Sequence, residues 1–233
     1  MATYNSILKQ SYKDWEWLVT DDCSIDGTFE LLNEICLKDK RVKVFRNDMN
    51  LGAAVSRNKS IANANGEFIA FIDSDDIWLK TKLEQQLSFM NERNIDFSFT
   101  AYELIDEEGN LLGTKVDSKQ EGFFTYKDML KKKATLGCST VVLRLSAFGN
   151  ISMPLIRTGQ DYALWLNILK TGCNAWVLSE VLTQYRIMPN SISRNKFKKA
   201  KQQWYIYRHL EHLSIFNSLI CFGHYAFRAV FRR

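Results

Sequence analysis

The 233-residue sequence holds only two prolines, Pro154 and Pro189, and no Ser/Gly/Pro-rich stretch, so nothing in it reads as a linker between independent domains. It has no internal repeat and no low-complexity tract. Its five cysteines, Cys23, Cys36, Cys138, Cys173 and Cys221, are odd in number, widely spaced and never in a Cys-x-x-Cys pair. That excludes a disulfide framework and a zinc site and points to a reducing cytosol. No signal peptide opens the chain, and no uninterrupted apolar run is long enough to cross a bilayer. Histidine is absent before His209, so a base in the body of the chain falls to a carboxylate.

What is present is an ordinary globular composition of a length that suits one sizeable core, since single cores stop growing at about 250 to 300 residues. The net charge of +5 is unevenly spread: the segment from Lys196 onward carries +7 and the remainder −2. A near-neutral body with a basic tail suits an anionic surface.

The richest stretch runs from Phe68 to Leu79. Phe68 to Ile72 reads as a short buried strand, and three carboxylates, Asp73, Asp75 and Asp76, follow where it must end. Ligands of open α/β sheets collect beyond such strand ends. Like charges this close raise one another's pKa unless a cation neutralises them, so a hard divalent ion is the natural partner, the plain alternative being a solvated acidic turn. Trp15 to Thr20 repeats the arrangement, ending in Asp21 and Asp22. Asp22, Ser24, Asp26 and Gly27 fall at calcium-loop positions, but the twelfth place is Asn33, which argues against an EF-hand. Asp26 reads as the cap of a helix bearing Phe29, Leu31, Leu32 and Ile35.

Further along, Val42 to Phe45 is a strand and Ala53 to Ala64 a helix presenting Arg57 and Asn58. Thr81-Lys82-Leu83-Glu84 reads as a capping box, and Asp96 to Leu104 as a strand. Alternating strands and helices predict a parallel α/β sheet with right-handed crossovers. Tyr126 to Lys133 reads as a short helix and Ser139 to Leu143 as a strand. Thr158 onward opens an amphipathic helix with Asp161 in its first turn, where the helix dipole favours a carboxylate. Ala175 to Leu182 is the last strand, trailed by Tyr185 and Arg186. Residues 1–12 do not read as a complete element.

Taken together, Thr3-Tyr4-Asn5, Asp21-Asp22-Cys23-Ser24 with Asp26 and Thr28, Asn50-Leu51-Gly52 with Arg57-Asn58, Phe71-Ile72-Asp73-Ser74-Asp75-Asp76, and Gln160-Asp161 leading to Tyr185-Arg186 resemble family 2 glycosyltransferases of the GT-A fold. The resemblance covers Ser11 to about Ser193. More weakly, the tail resembles teichuronic-acid, capsular and O-antigen glycosyltransferases. It implies a mostly parallel, Rossmann-like sheet flanked by helices in residues 1–193, followed by a basic amphipathic helical tail in residues 194–233. It also implies an inverting, metal-dependent transfer from a nucleotide-diphosphate sugar, taken as a UDP-sugar, to a surface-polysaccharide or lipid-linked glycan. By the same resemblance Asp161 is the catalytic base. Thr3, Tyr4, Asp22, Arg57 and Asp73 bind the donor. Asp75 is the ligand of a divalent cation, Mn2+ or Mg2+, with Asp73 and Asp76 supporting. Gln160, Tyr185 and Arg186 lie on the acceptor or diphosphate side.

Two departures stand out. The pair before the base is Gln160-Asp161 where the family has Glu-Asp, and the first strand and helix of the family are shortened here, which predicts an exposed sheet edge. A non-catalytic nucleotide-binding or scaffolding relative is therefore the competing reading. A sugar-phosphate nucleotidyltransferase is excluded because no glycine-rich phosphate loop stands near the start. In the tail, aromatic and basic residues are mixed with polar interruptions at Asn217, Ser218, His224 and Arg228. That pattern predicts an interfacial helix at the inner face of the cell membrane, reached from the cytoplasm, with no nucleic-acid partner.

Overall fold

The computed structural model describes residues 1–188 and 196–231. Residues 1–12 do contain an element, helix α1 (Ala2–Leu8), which buries Thr3, Tyr4, Ser6 and Ile7. Strand β1 (Trp17–Asp21) lies parallel to β2 (Val42–Arg46), with α2 (Thr28–Lys38) between them in sequence. Asp26 does not occupy the cap of α2. Gly27 does, at φ 83°, and Asp26 stands one place earlier, its Oδ1 accepting from the Thr28 amide at 3.1 Å and hydroxyl at 2.7 Å.

Helix α3 (Ala53–Ile61) follows Gly52 and ends short of Ala64, because Ala62, Asn63 and Ala64 close it in turns. Strand β3 (Phe68–Ala70) covers three of the five residues expected, since Asp73 to Asp76 already form a turn in which the Asp76 amide donates to the Asp73 carbonyl. β4 (Ile77–Trp78) and α4 (Lys82–Glu92) come next. The capping box expected at Thr81 does not form. Instead, from outside the helix, Gln10 Oε1 accepts from the Leu83 amide at 3.0 Å, while its Nε2 donates to the Leu79 carbonyl at 2.9 Å.

The second half comprises β5 (Phe97–Ile105), β6 (Leu111–Val116), β7 (Phe123–Phe124), α5 (Tyr126–Leu130), a 3-10 turn over Cys138–Thr140, β8 (Val141–Arg144), α6 (Gln160–Leu169), β9 (Ala175–Arg186), α7 (Lys196–Tyr205), a π-helical turn over Ile206–Leu210, and α8 (Ile215–Phe231). The expected boundary between residues 193 and 194 lies outside the described residues.

The class is α/β as expected, but the sheet is mixed rather than mostly parallel. β1 and β2 form a two-stranded sheet; the second sheet has the order β3-β8-β5-β9-β4, with β6 on β5 and β7 on β9. Among the described residues only β1/β2 and β5/β9 are parallel. The Asp106–Asn110 turn explains the change, because so short a connection returns the chain beside β5 in the opposite direction, where a parallel neighbour needs a crossover of a dozen or more residues. Among the described residues β1 pairs only with β2 and β3 only with β8, so β1 keeps an unpaired edge.

The main core lies between β5, β8 and α6. Phe97, Phe99, Val141, Leu143, Trp165 and Leu166 are fully buried, and the Trp165 ring meets Phe71 and Phe97 at centroid distances of 5.4 and 5.5 Å. A helix apolar on nearly every side, as α6 is, is stable only when covered in this way.

Gln10 joins α1 to α4 with no contact to water. Gln10→Ala removes its bonds to Ser6, Leu79 and Leu83 and leaves a buried carbonyl and amide unpaired. The urea midpoint should fall by the equivalent of ~2–4 kcal/mol with an unchanged denaturant slope.

Candidate active site

The carboxylates after β3 have three different fates. Asp76 has no exposed surface. Its Oδ2 accepts from the Ser139 hydroxyl at 2.5 Å, and its Oδ1 accepts from the Arg186 amide at 3.0 Å. Burial, then the Asp73 charge, lift its pKa to about 7 against these hydrogen bonds. Asp76 is thus a buried post beneath the loop, each of its oxygens holding one partner inside the fold.

Asp73 is partly buried and pairs with Arg57, whose Nη2 lies 2.5 Å from its Oδ1. Its amide donates to Ser139 Oγ at 2.9 Å. Asp75 stands exposed at the rim. Desolvation and the Asp73 charge raise its pKa, so it carries a charge that the surrounding residues leave incompletely compensated. Arg186 braces the same loop, its Nε donating to the Asp75 carbonyl at 2.9 Å and its Nη1 to the carbonyls of Asp106 and Glu107, both at 2.8 Å.

Asp161 opens α6 behind Gly159, whose φ of 73° makes the sharp entry. Its charge reaches this same group of residues. Burial opposes the Arg57 charge, but Asp73, which also hydrogen-bonds to it, and Asp161 outweigh burial and raise its pKa. The Tyr185 hydroxyl is likewise pushed up by burial and then by the charges of Asp76, Asp73, Asp75 and Asp161. Tyr185 itself is packed on Tyr102, ring centroids 5.6 Å apart. Gln160 is buried, with an Oε1 that meets no hydrogen-bond donor.

Asp22 is held at the start of α3. Its Oδ1 accepts from Asn47 Nδ2 at 2.9 Å and the Leu51 amide at 2.8 Å, and its Oδ2 from the Gly52 amide at 2.7 Å. Desolvation works against the anion, but these donors hold its pKa below the ordinary value. Asp22 therefore fixes the start of α3, and Arg57, five residues or about 7.5 Å of helix further on, reaches Asp73. Asn58 anchors the next position, exchanging two hydrogen bonds with the Met153 backbone.

Thr3 and Tyr4 are placed differently from the donor-binding role expected of them. Thr3 Oγ1 lies 2.8 Å from both the Ser74 and Asp76 carbonyls, so it supports the loop from α1 while itself buried. Tyr4 stacks on Trp17 at 5.2 Å and packs with Ile35 and Val42. Both are taken up by packing because they lie on the buried side of a helix.

Three neighbours were not foreseen. Ser139 links Asp73 to Asp76. Cys138 is a fully buried thiol whose pKa is raised well above the usual range by desolvation and then by Asp73, so it stays protonated. From α7, Lys199 feels the Asp161 charge, which offsets part of the desolvation that lowers the lysine's pKa. A lone Ser, Cys or Lys carries no spacing signal that could have singled it out.

Among the described residues no three Asp, Glu, His or Cys side chains converge to hold a metal by themselves. The donor set instead fits an ion shared with a ligand: one open carboxylate, Asp75, with Asp73 beside it, is the complement that Mg2+-type sites use when substrate phosphates complete the shell.

The sequence pattern described as Glycosyl transferase family 2 matches residues 2–151. The chain is 45% identical over 231 residues to the putative teichuronic acid biosynthesis glycosyltransferase TuaG of Bacillus subtilis (strain 168), covering 99% of this chain and 90% of that protein. It is 42% identical over 205 residues to WfgD of Escherichia coli, a UDP-Glc:alpha-D-GlcNAc-diphosphoundecaprenol beta-1,3-glucosyltransferase, covering 87% and 78%. Among solved structures, S. aureus TarS 1-349 in complex with UDP superposes with a TM-score of 0.69 at 21% identity, over 97% of this chain and 66% of that one, slightly under two thirds. The mannosyltransferase PcManGT from Pyrobaculum calidifontis, in complex with GDP-Man and Mn2+, gives 0.68 at 13% identity, over 98% and 65%. The fold is that of the GT-A glycosyltransferases. The chain belongs to glycosyltransferase family 2.

The Asp76 post has a pH signature. Its folded pKa is raised from 3.8 to about 7, so the stability it contributes is full below 3.8 and is lost as pH rises through about 7. Measured as the difference in melting temperature between wild type and Asp76→Asn in the absence of ligand, that loss appears across this window as a slope carried by the wild type alone.

Proposed function

We propose that this chain is an inverting, metal-dependent glycosyltransferase that moves a sugar from a UDP-sugar to a lipid-linked or surface-polysaccharide glycan. The observation that carries the reading is a set of acids whose charges act together: Asp76, Asp73, Asp75 and Asp161 all bear on the Tyr185 hydroxyl, and Asp73 is paired with Arg57. One of these carboxylates is a buried post, one is paired with Arg57, one is exposed, and one stands in the first turn of α6. That division suits a reaction needing diphosphate charge neutralised on one side and a proton accepted on the other.

Asp75, with Asp73 beside it, would hold Mn2+ or Mg2+ jointly with the donor diphosphate; when bound, the ion supplies Lewis-acid neutralisation of the leaving group. Arg57 adds a fixed positive charge on the diphosphate side, and Arg186 holds the Asp75 backbone in place. Asp22, through the Leu51 and Gly52 amides, shapes the loop against which the nucleotide base rests. Asp161 accepts the proton of the acceptor hydroxyl as its oxygen bonds to the anomeric carbon, while the bond from that carbon to the diphosphate oxygen breaks and UDP departs. A single displacement inverts the anomeric centre and needs no covalent intermediate. Gln160 and Tyr185 line the acceptor side. TuaG and WfgD support a cell-envelope glycan as acceptor, and a lipid-linked one would place the enzyme at the inner face of the membrane.

The test is UDP release from UDP-glucose with a synthetic GlcNAc-diphosphoryl-lipid acceptor. Asp161→Asn should lower kcat by ~10²–10⁴-fold while leaving the KM for the donor within about twofold. Full turnover in Asp161→Asn, or no release of the matching nucleoside diphosphate from the wild type with UDP-, GDP- or dTDP-sugar donors, would overturn the reading.

A further inference from the structure

α8 is amphipathic with its apolar side turned outward. Ser214 starts it, Oγ accepting from the Asn217 amide at 3.2 Å. The face against the body is narrow. Ser218 and Cys221 are buried, and half-buried Phe222 meets Trp204 of α7 edge-on at 5.7 Å. The opposite side exposes Ile215 by 62%, Phe216 by 72%, Leu219 by 57% and Ile220 by 41%. At about 100° per residue these four fall in an arc of about 140°. His224 and Arg228 follow at its edge, about 40° and 80° beyond Ile220. Arg228 is steadied there by donating to the Lys133 carbonyl at 3.3 Å. No acidic residue occurs anywhere in α8.

We infer that this outward face of α8 is a docking surface for an anionic lipid bilayer, with Ile215, Phe216, Leu219 and Ile220 entering the interface and the His224/Arg228 edge lying against the headgroups. Charge decides between occupants: a bilayer offers apolar depth with a negative rim, which complements both features, whereas a second copy would bring another basic edge against the first. The helix lies flat, because its 17 residues fall short of a span and, among the described residues, no helix is long and apolar enough to cross a membrane. The element also leads to the active site. α8 meets α7 through Phe222 and Trp204, and α7's Gln202 and the following Ile206 abut Gly159, two residues before Asp161. The inference deepens the membrane-bound acceptor proposed above, and it is read without turnover, so either can fail alone.

The experiment is co-sedimentation of the full chain with phosphatidylcholine vesicles containing or lacking phosphatidylglycerol. The wild type should bind the anionic vesicles at least tenfold more tightly than the neutral ones. Phe216→Gln with Leu219→Gln should weaken that binding at least tenfold, and His224→Gln with Arg228→Gln should remove the preference for anionic lipid. Melting temperatures close to wild type would show that these exposed positions leave the fold intact. Undiminished vesicle binding by a folded Phe216→Gln/Leu219→Gln protein would overturn the inference. So would a wild type that ignores vesicles and forms dimers, by light scattering, that this variant dissolves.

Discussion

A carboxylate shut away from water, that of Asp76, holds the active site together. Burying it is costly unless its oxygens are satisfied, and two elements distant in sequence do this: Ser139 from the turn before β8, and the Arg186 amide at the end of β9. The Thr3 hydroxyl adds a contact to the loop carbonyls from α1, and the Ser139 carbonyl accepts from the Trp78 indole at 2.8 Å. The turn carrying Asp73 and Asp75 is thereby fastened from below, while Asp73 meets Arg57 and Asp75 stays exposed. A loop fixed in this way can hold two like charges close together without collapsing away from them.

The positive side of the site depends on the same rigidity. Asp22 gathers the Leu51 and Gly52 amides and so sets where α3 begins; α3 then delivers Arg57 to Asp73 and Asn58 to the Met153 backbone. Arg57 is partly buried among carboxylates. Removing one member of such a group leaves the others uncompensated, so these residues act as a unit and their effects will not add.

The parts legible in the sequence are those with a short-range pattern. Apolar runs ending in acids located β1 and β3, and helical spacing after Gly159 located α6 with Asp161 in its first turn. The order of strands and helices gave the α/β class but not the direction of the later strands, which is set by short returns such as Asp106–Asn110 and by pairing with β5 and β9. Which of three neighbouring aspartates is buried could not be read locally either. Asp76 became a post because Ser139 and Arg186, 63 and 110 residues away, meet it in space. Likewise Gln10 took the capping task assigned to Thr81, since its side chain, two residues past the end of α1, reaches the Leu83 amide in a dry setting. Tyr4 carried a recognisable motif yet lies in the packing around Trp17, because its place on a buried helix face decides its surroundings.

The central claim is a division of labour in which Asp75 is the open carboxylate and Asp76 is structural. Electron paramagnetic resonance of Mn2+ titrated into the protein with UDP tests it most directly. The account predicts one bound Mn2+ per chain that requires UDP, is lost in Asp75→Ala and survives in a folded Asp76→Asn. Mn2+ binding that persists in Asp75→Ala but disappears in Asp76→Asn would contradict it.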